Sequence, residues 1–479
     1  MSVHTTPVER MGGGDLMTLA SDLGDPPMQI AGILVLDGGS ALNADVVAAT
    51  VAERANGIRR FRQHLVRAPF GLGNPYWADD PGFAIHRHFL HVRCPAPGDD
   101  EALLDIATTA VTRKLPRDRP LWSVTFVTGL AGGDAALVFV MHHVLTDGIG
   151  GLAALARMAD GTPAEADPAF LVPKPGAAAL FADANRRRIE TLRTLPAGAR
   201  RLRRGLRELR QAGITLAPRS SLNQPTGPCR RFAVARADLR AVRATAREHG
   251  GLLNDAVLTA ATGALRTLLD ARGEEAGSLV VSVPVSTRSR DPGARLGNHA
   301  VAVPVELPSG GRTVDRLAAI ALLTRGRFGS ARGASVALVG PFFRGIARLN
   351  LLRWLVDHQR MLSTSVTYLR GPSARLAFLG TPISEVIPLS TVKGNMTVSF
   401  VALSYGGRLT VTAVTDPGRV RDLPVLMAGL RDELAALSAP RGTGGGEKPS
   451  TMRIPDSPAV ASWGSGGEPG RDGTRRERP

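Results

Sequence analysis

Two adjacent histidines followed by an Asp-Gly pair form the segment of this 479-residue chain that is best suited to chemistry. His142 and His143 end the apolar run 135–141 (AALVFVM), and Asp147-Gly148 begins a turn before a run with helical spacing. Because adjacent residues of a strand point to opposite faces, one histidine is expected to face a cleft and the other the interior. A neutral imidazole near pH 7 can take a proton from a hydroxyl during attack on an acyl group. The pattern therefore indicates a general base at a strand end.

Two other interpretations of the histidine pair remain open. The pair could bind a metal ion, but adjacent strand residues diverge and the sequence places no third and fourth ligand nearby. The pair could be structural, as most His-His pairs are, although the full pattern H-H-x-x-x-D-G is much rarer by chance. Asp147 is placed to hold the turn by accepting backbone N–H groups or by pairing with an arginine. Glycines at 148, 150 and 151 would allow a helix to begin close to a ligand.

Strand-like and helix-like segments alternate on both sides of this motif. Strands are predicted at 29–36, 122–130, 135–141, 279–285, 300–307, 395–404 and 409–414. Helices are predicted at 41–56, 151–158, 253–269, 317–323 and 423–437. The glycine-containing segments 131–134 and 405–408 indicate hairpins between strands. Alternation in both halves, with several hairpins, predicts an α/β (α+β) fold of two sandwich domains rather than one doubly wound sheet.

A basic segment separates the two halves. Ten arginines lie between Phe181 and Arg210, with leucines at roughly helical intervals, which predicts a basic amphipathic helix interrupted at Pro196. The predicted organisation is an N-terminal domain at 1–180, this crossover helix and linker at 181–230, a C-terminal domain at 231–438 and a disordered tail at 439–479, rich in Gly, Pro, Ser and Arg.

Composition excludes several classes of protein. Cys94 and Cys229 are too few for a disulfide framework or a four-cysteine zinc site. No apolar run is long and uncharged enough to span a bilayer, and residues 1–14 lack the apolar core of a signal peptide. The sequence therefore predicts a soluble, cytoplasmic protein. The net charge of +17 alone is weak evidence for a partner, and Phe181 is the only aromatic residue among the arginines of 181–210, so no nucleic-acid partner is expected.

The motif His142-His143-x-x-x-Asp147-Gly148 resembles that of acyl-CoA-dependent acyltransferases related to chloramphenicol acetyltransferase. Within that superfamily the chain is most similar to the bacterial wax ester synthase/diacylglycerol acyltransferases. The segments that carry this similarity are 120–122 (PLW), 251–258 (GLLNDAVL), 284–288 (PVSTR), 296–298 (LGN), 367–372 (TYLRGP, a diverged turn) and 404–409 (SYGGRL). The chain departs from the family pattern at Gln29, often His, at Thr146, usually apolar, and in the arginine-rich stretch 332–360.

The resemblance implies two chloramphenicol acetyltransferase-like sandwich domains with a tunnel at their interface. It implies that His143 is the general base, that His142 supports the loop, and that Asp147 is structural. Arg288 is a candidate partner of Asp147, with a solvated surface arginine as the alternative.

Further residues are candidates for supporting roles. The backbone N–H of Gly148 and the side chain of Asn254, beside Asp255, are candidate donors to an oxyanion, although Asn254 is equally suited to a plain helix N-cap. Asn298 is expected in a turn that closes near the site. Trp122 is expected in the core, with a lining position in the substrate channel as the alternative.

The implied reaction transfers a fatty acyl group from CoA to diacylglycerol, giving triacylglycerol, or to a long-chain alcohol, giving a wax ester. Fatty acyl-CoA is then a co-substrate, and neither a cofactor nor a metal is expected. One alternative is a condensation-type or polyketide-associated transferase acting on another hydroxyl or amine, and a non-enzymatic alternative is a catalytically weak coat protein of lipid droplets. The Arg186–Arg210 helix fits a peripheral contact with a membrane or lipid droplet, or a solvated crossover.

Overall fold

The computed structural model describes most of the chain. The described ranges are 8–22, 24–69, 71–162, 171–193, 216–275, 277–286, 297–298, 300–330, 352–392 and 394–439. Three predicted segments lie wholly or partly outside the described residues. They are the tail beyond residue 439, residues 332–351 of the arginine-rich stretch 332–360, and residues 194–210 of the predicted basic helix.

Two six-stranded sheets and a small hairpin make up the strand layers. The strands are β1 (Gln29–Leu36), β2 (Gln63–Val66), β3 (Tyr76–Asp79), β4 (Phe89–Arg93), β5 (Trp122–Thr128), β6 (Ala135–His142), β7 (Arg231–Asp238), β8 (Ser278–Ser286), β9 (Ala300–Pro308), β10 (Thr364–Arg370), β11 (Ala377–Phe378), β12 (Thr381–Leu389), β13 (Val398–Tyr405) and β14 (Arg408–Thr415). The first sheet has the order β11-β12-β1-β6-β5-β4 and the second has the order β7-β14-β13-β10-β8-β9.

The described residues also form ten α-helices. They are α1 (Gly13–Ser21), α2 (Ala44–Asn56), α3 (Asp100–Thr112), α4 (Gly148–Ala156), α5 (177–193), α6 (Leu239–Glu248), α7 (Leu253–Ala271), α8 (Thr313–Ser330), α9 (Leu352–Asp357) and α10 (Leu423–Ser438). Within these ranges, no helix combines the length and the apolar character needed to cross a membrane.

The central strands of the first sheet are apolar on both faces because both faces are covered. Along β6, residues 135, 137, 139 and 141 belong to the core that includes α2 and α4. Residues 136, 138 and 140 belong to the core that includes α3. The second sheet packs against α6, α7 and α10, and this core holds most of the buried leucines of the second half. Two sheets with helical layers are the predicted α/β sandwich arrangement.

The first sheet is completed by strands from late in the chain. β12 pairs antiparallel with β1 from Ala31↔Leu389 to Leu36↔Ile383, and β11 forms the edge beyond it. The Tyr405 hydroxyl, from the end of β13, donates a hydrogen bond to the Ile383 carbonyl (3.0 Å) and accepts one from the Leu376 N–H (2.7 Å). Arg236 of β7 also bonds both Glu385 of β12 and Asp100 of α3. The predicted domain boundaries remain a prediction, and the sequence did not anticipate this strand exchange.

Most predicted elements agree with the structure to within a few residues. The hairpin at 405–408 is confirmed: Tyr405 pairs with Arg408, and Gly406 and Gly407 have φ of 54° and 87°. Positive φ at both central positions is the two-residue turn that matches strand twist, and glycine adopts it without strain. The predicted turn at 367–372 is wrong in its first four residues, which belong to β10. Only residues after Arg370 leave the strand, where the Gly371 N–H bonds the Ser404 carbonyl (2.8 Å).

Substituting Tyr405 tests whether its hydroxyl stabilises the exchanged strands. Tyr405→Phe leaves a buried carbonyl and a buried N–H without their shared partner, so we expect a loss of about 1–3 kcal/mol in the free energy of unfolding. Urea unfolding followed by circular dichroism measures it. Tyr368→Phe is the matched control, because this hydroxyl bonds only the Ser404 hydroxyl among the described residues and should cost less. Equal losses in both variants would contradict the assignment.

Candidate active site

The two histidines of the motif lie on opposite faces at the end of β6. His142 is the last residue of the strand and is 3% exposed, while His143 is partly buried and lines a pocket. The alternation along β6 explains this, since Met141 and His143 project to the side of α4 and His142 to the other side. The predicted division into one cleft-facing and one interior histidine is therefore what the structure shows.

His142 is held in one tautomer by its neighbours. Its Nδ1 accepts a hydrogen bond from the Val144 N–H (3.1 Å), so the ring proton is on Nε2, which donates to Asp22 Oδ2 (3.1 Å). Asp22 also accepts from the Met28 N–H (2.8 Å) and pairs with Arg117 (2.6 Å). The ring therefore closes the turn after β6 and ties it to the loop before β1.

His143 is held in the opposite tautomer by Asn298. The two atoms His143 Nδ1 and Asn298 Oδ1 are 2.9 Å apart, and the Asn298 amide nitrogen donates to the His143 carbonyl (2.7 Å). An amide oxygen can only accept, so the proton is on His143 Nδ1. Nε2 then carries the lone pair, and within the described part of the chain no protein group is hydrogen-bonded to it.

Burial lowers the pKa of His143 below its ordinary value of 6.5. Desolvation of the imidazolium is the largest cause, and it outweighs the opposing effects of the ring's own backbone carbonyl, Asn298 and Asp147. The ring is consequently neutral at pH 7, with Nε2 able to accept a proton.

Asp147 forms the N-cap of α4. Its Oδ1 accepts a hydrogen bond from the Gly150 N–H (2.9 Å), and its side chain is buried. Its own N–H donates to the Gly297 carbonyl, next to Asn298 (3.4 Å). Asp147 therefore joins the loop after the histidines to the start of α4 and to Gly297. Its role as a structural residue of the site stays a prediction. Arg288, its predicted partner, lies outside the described residues.

An apolar pocket with about 120 Å³ of open space lies beside His143. Its walls come from β1, β6 and α4 of the first half and from β8, β9, β10, β12 and β13 of the second. Its lining residues include Ile30, Gly32, Met141, Gly148, Leu152, Leu155, Pro284, Thr367, Leu369, Val386, Pro388 and Leu403. This volume is smaller than that of a pocket for a whole drug-sized ligand.

Two glycines keep this pocket open. A Cβ added at Gly32 would lie 2.5 Å from Leu155 Cδ1, and one added at Gly148 would lie 3.0 Å from Leu369 Cδ2. Gly148 is also the first residue of α4, where backbone N–H groups lack partners within the helix.

The structure places other predicted site residues away from this pocket. Trp122 is 1% exposed, donates to the Phe61 carbonyl (2.8 Å) and stacks on Phe61 and His88, so it packs in the core rather than along a channel. Asn254 is the second residue of α7, whose N-cap is Leu252, so its interpretation as an N-cap is wrong. Among the described residues that line the pocket, neither Asn254 nor Asp255 is found.

Asp255 stabilises the start of α7 instead. Its carboxylate accepts hydrogen bonds from the Leu252 N–H (2.7 Å) and the Thr324 hydroxyl (2.9 Å). Gln29, one of the departures from the family pattern, is fully buried, and its amide bonds the carbonyls of Val111 and Arg113 at the end of α3 (2.7 and 2.9 Å). Both residues therefore shape the elements around the site without reaching the pocket.

Sequence reasoning missed the two carboxylates of the N-terminal helix region that touch the site. Asp22 bonds His142 directly, and Asp15 bonds Asn298. Neither belongs to a recognisable motif, so no sequence signal singles them out. In the part of the chain that the structure describes, no cluster of three or more His, Cys, Asp or Glu side chains could hold a metal ion. The absence of a cofactor remains a prediction.

Sequence similarity to known proteins extends over most of the chain. A putative diacylglycerol O-acyltransferase of Mycobacterium bovis is 30% identical over 423 residues, which cover 85% of this chain and 91% of that protein. A probable diacylglycerol O-acyltransferase of Mycobacterium tuberculosis has the same identity and coverage.

Solved structures share the fold. The wax ester synthase/diacylglycerol acyltransferase from Marinobacter aquaeolei VT8 superimposes with a TM-score of 0.66 at 22% identity, over 90% of this chain and 98% of that one. The first condensation domain of the calcium-dependent antibiotic synthetase superimposes with a TM-score of 0.62 at 16% identity, over 92% of this chain and 98% of that domain. The two-domain sandwich fold related to chloramphenicol acetyltransferase is thereby confirmed.

Family profiles match both halves of the chain. Residues 11–257 match the wax ester synthase/diacylglycerol acyltransferase catalytic domain, and residues 296–438 match the C-terminal domain of the same family. Together with the 30% identity to the mycobacterial relatives, these matches show that the chain belongs to the wax ester synthase/diacylglycerol acyltransferase family.

Proposed function

We propose that this protein is an acyl-CoA-dependent O-acyltransferase in which His143 is the general base. The observation that carries the proposal is the His143 ring itself, which lines an apolar pocket while Asn298 fixes its proton on Nδ1. The family and the diacylglycerol O-acyltransferases among its relatives support acyl transfer to diacylglycerol or a long-chain alcohol. Acyl-CoA and an acyl acceptor are then its substrates.

The reaction follows from the position of the Nε2 lone pair. His143 Nε2 accepts the proton of the acceptor hydroxyl as its oxygen attacks the thioester carbonyl of acyl-CoA. The carbon–sulfur bond then breaks, the ester is released, and the proton passes from His143 to the CoA sulfur. No covalent acyl-enzyme is required, because both substrates meet in one pocket and proximity lowers the barrier.

The start of α4 supports the charge that develops during attack. The carbonyl oxygen becomes negative in the tetrahedral intermediate, and the Gly148 N–H at the helix N-terminus is a suitable donor to it. Asp147 fixes this helix start through Gly150. A condensation-type transferase would use the same fold, but the likeness to condensation domains is one of fold alone.

The described part of the basic helix supports a contact with an anionic lipid surface. One side of α5 is anchored by buried Leu180 and Ala184 and by the ion pair of Arg10 with Asp183 (2.5 Å). Phe181 and Leu192, about three turns apart, are 56% and 63% exposed. Arginines 186, 187, 188 and 193 are exposed on the same helix. An exposed apolar and basic surface of this kind favours peripheral binding to a membrane or lipid droplet.

Replacing His143 tests the proposed base. His143→Ala should reduce acyl transfer by about 10²–10⁴-fold, because proton transfer by a positioned base contributes this much. Purified protein is given labelled palmitoyl-CoA with hexadecanol and with diacylglycerol separately, and ester formation and CoA release are measured. His91→Ala, on exposed β4 and bonded to the Thr128 hydroxyl, is the matched control. If the wild-type protein releases no CoA with any alcohol, the enzymatic function is ruled out. A coat protein without catalytic activity would bind lipid equally well with histidine or alanine at position 143.

The acid side of the pH profile tests the lowered pKa of His143. Since only neutral imidazole accepts a proton, kcat/KM should fall with decreasing pH with a midpoint below 6.5. The unfolded chain binds this proton more readily than the folded chain, so stability is also lost as pH falls from 6.5 through the folded-state pKa. The NMR titration of His143, assigned by the loss of its signal in His143→Gln, gives the midpoint directly. A midpoint at or above 6.5 would contradict the desolvation argument.

Charge reversal on α5 tests the lipid contact. Arg186→Glu with Arg193→Glu should weaken binding to phosphatidylglycerol-containing vesicles by about tenfold or more, since each basic residue near an anionic surface contributes about 1 kcal/mol. Cosedimentation with vesicles measures the effect. Arg240→Glu with Arg247→Glu makes the same charge change on exposed positions of α6 and is the control. Equal losses in both double variants would indicate general charge attraction, and an unchanged affinity in the α5 variant would refute the contact.

A further inference from the structure

Two carboxylates, one near each end of helix α1, connect this helix to the two histidines. Asp22, directly after its last residue, receives the hydrogen bond of His142 Nε2 (3.1 Å). Asp15, in its first turn, accepts hydrogen bonds from Asn298. Asp22 thus contacts His142 directly, whereas Asp15 contacts His143 only through Asn298.

Asp15 bonds Asn298 twice through one oxygen. Its Oδ1 accepts from the Asn298 backbone N–H (2.9 Å) and from the Asn298 side-chain Nδ2 (3.2 Å). Its other oxygen, Oδ2, accepts from the Gly12 N–H (3.2 Å), which fixes the carboxylate to the start of α1. The carboxylate is therefore oriented by its own helix before it meets Asn298.

This arrangement determines which way the Asn298 amide faces. An ionised carboxylate has no proton to donate, so only the NH₂ end of an amide can bond it. The same NH₂ group also donates to the His143 carbonyl (2.7 Å). With both of its protons directed at acceptors, Asn298 presents its oxygen to His143 Nδ1. Asp15 and the His143 carbonyl, which both can only accept, thus select together the amide orientation that leaves a lone pair on His143 Nε2.

We propose that Asp15 is a positioning residue for His143, acting through Asn298. Asp15 touches no reacting atom. It fixes the amide orientation that keeps the His143 proton on Nδ1, and its catalytic consequence rests on the proposed role of His143 as base.

Asp15→Asn weakens the selection while keeping the size of the side chain, because only the His143 carbonyl then remains as a partner that can do nothing but accept. The introduced amide can face Asn298 with either its oxygen or its nitrogen, so the Asn298 amide can rotate. A rotated Asn298 presents N–H to His143 Nδ1, which then accepts, and the ring proton moves to Nε2. That tautomer cannot accept a proton from an alcohol at Nε2. It also disfavours the imidazolium, because an N–H donor faces the ring, so the pKa of His143 falls further.

The first experiment compares wild-type protein and Asp15→Asn in kinetics and NMR. We expect kcat to fall about tenfold or more, as part of the 10²–10⁴-fold effect of a positioned base is lost, with the KM for palmitoyl-CoA changed less than about twofold. The acid limb of the pH profile should move to lower pH. In ¹⁵N-histidine-labelled protein without substrate, the nitrogen shifts of His143 should change from the Nδ1–H pattern towards the Nε2–H pattern.

A pair of glycines supplies a second, independent test. A Cβ at Gly14 would lie 2.5 Å from the Asn298 carbonyl oxygen, whereas a Cβ at Gly13 would meet nothing within 4 Å. Gly14→Ala should therefore displace Asn298 and alter the His143 nitrogen shifts and kcat in the same direction as Asp15→Asn. Gly13→Ala adds the same methyl group to the same helix and should leave both unchanged.

The outcomes separate this proposal from the proposed function. Unchanged His143 nitrogen shifts and pH profile in Asp15→Asn overturn the positioning role, even if thermal stability falls, because loss of helix docking alone would not move the tautomer. If wild-type protein transfers no acyl group but Asp15→Asn still changes the His143 shifts, the proposed function fails and the control of the ring by Asp15 stands. If acyl transfer depends on His143 and Asp15→Asn keeps full activity, the proposed function stands and this inference fails.

Discussion

The hydrogen bond from His143 Nδ1 to Asn298 Oδ1 is the contact on which the site depends. An imidazole has two nitrogens and one proton when neutral, and a single acceptor decides which nitrogen keeps the lone pair. Here that acceptor comes from the second half of the chain, whereas the histidine comes from the first. The His143–Asn298 pair therefore forms only when both halves have folded and met, and both halves contribute strands to the pocket.

A strand buried on both faces gives the two histidines different environments. His142, on one side of β6, is enclosed by polar partners that satisfy both of its nitrogens. His143, on the other side, borders apolar residues of β1, α4 and β10, which desolvate the ring and keep it neutral. The same strand end thus provides one imidazole with both nitrogens hydrogen-bonded and one whose Nε2 faces the apolar pocket, as the proposed base requires. The adjacency of the two histidines places their rings on opposite faces, and the neighbours on each face give them different environments.

The sequence predicted those features that depend on local pattern. The strand before His142, the helix after Asp147 and the turn at Gly406-Gly407 follow from apolar runs, capping and turn chemistry within a few residues. The contacts of Asp15 could not be predicted, because Asn298 is 283 positions away and a single carboxylate on a helix has many ordinary explanations. The prediction of Asn254 as an N-cap was wrong because it used residue type alone. Asparagine is favoured at N-caps, but helix α7 begins before Asn254, directly after Leu252. Local signals are strong within an element and carry no information about which elements meet.

The exchange of β12 into the first sheet has a consequence for the folding of this chain during its synthesis on the ribosome. β1 and β6 emerge early, but β12, the neighbour of β1, ends only at Leu389 of the 479 residues. Until then the apolar edge of β1 has unpaired backbone groups, which can template association with other chains. Contacts of such long sequence separation also slow folding. Fragments ending before residue 389 lack the partner strand of β1 and are therefore poor candidates for independent expression.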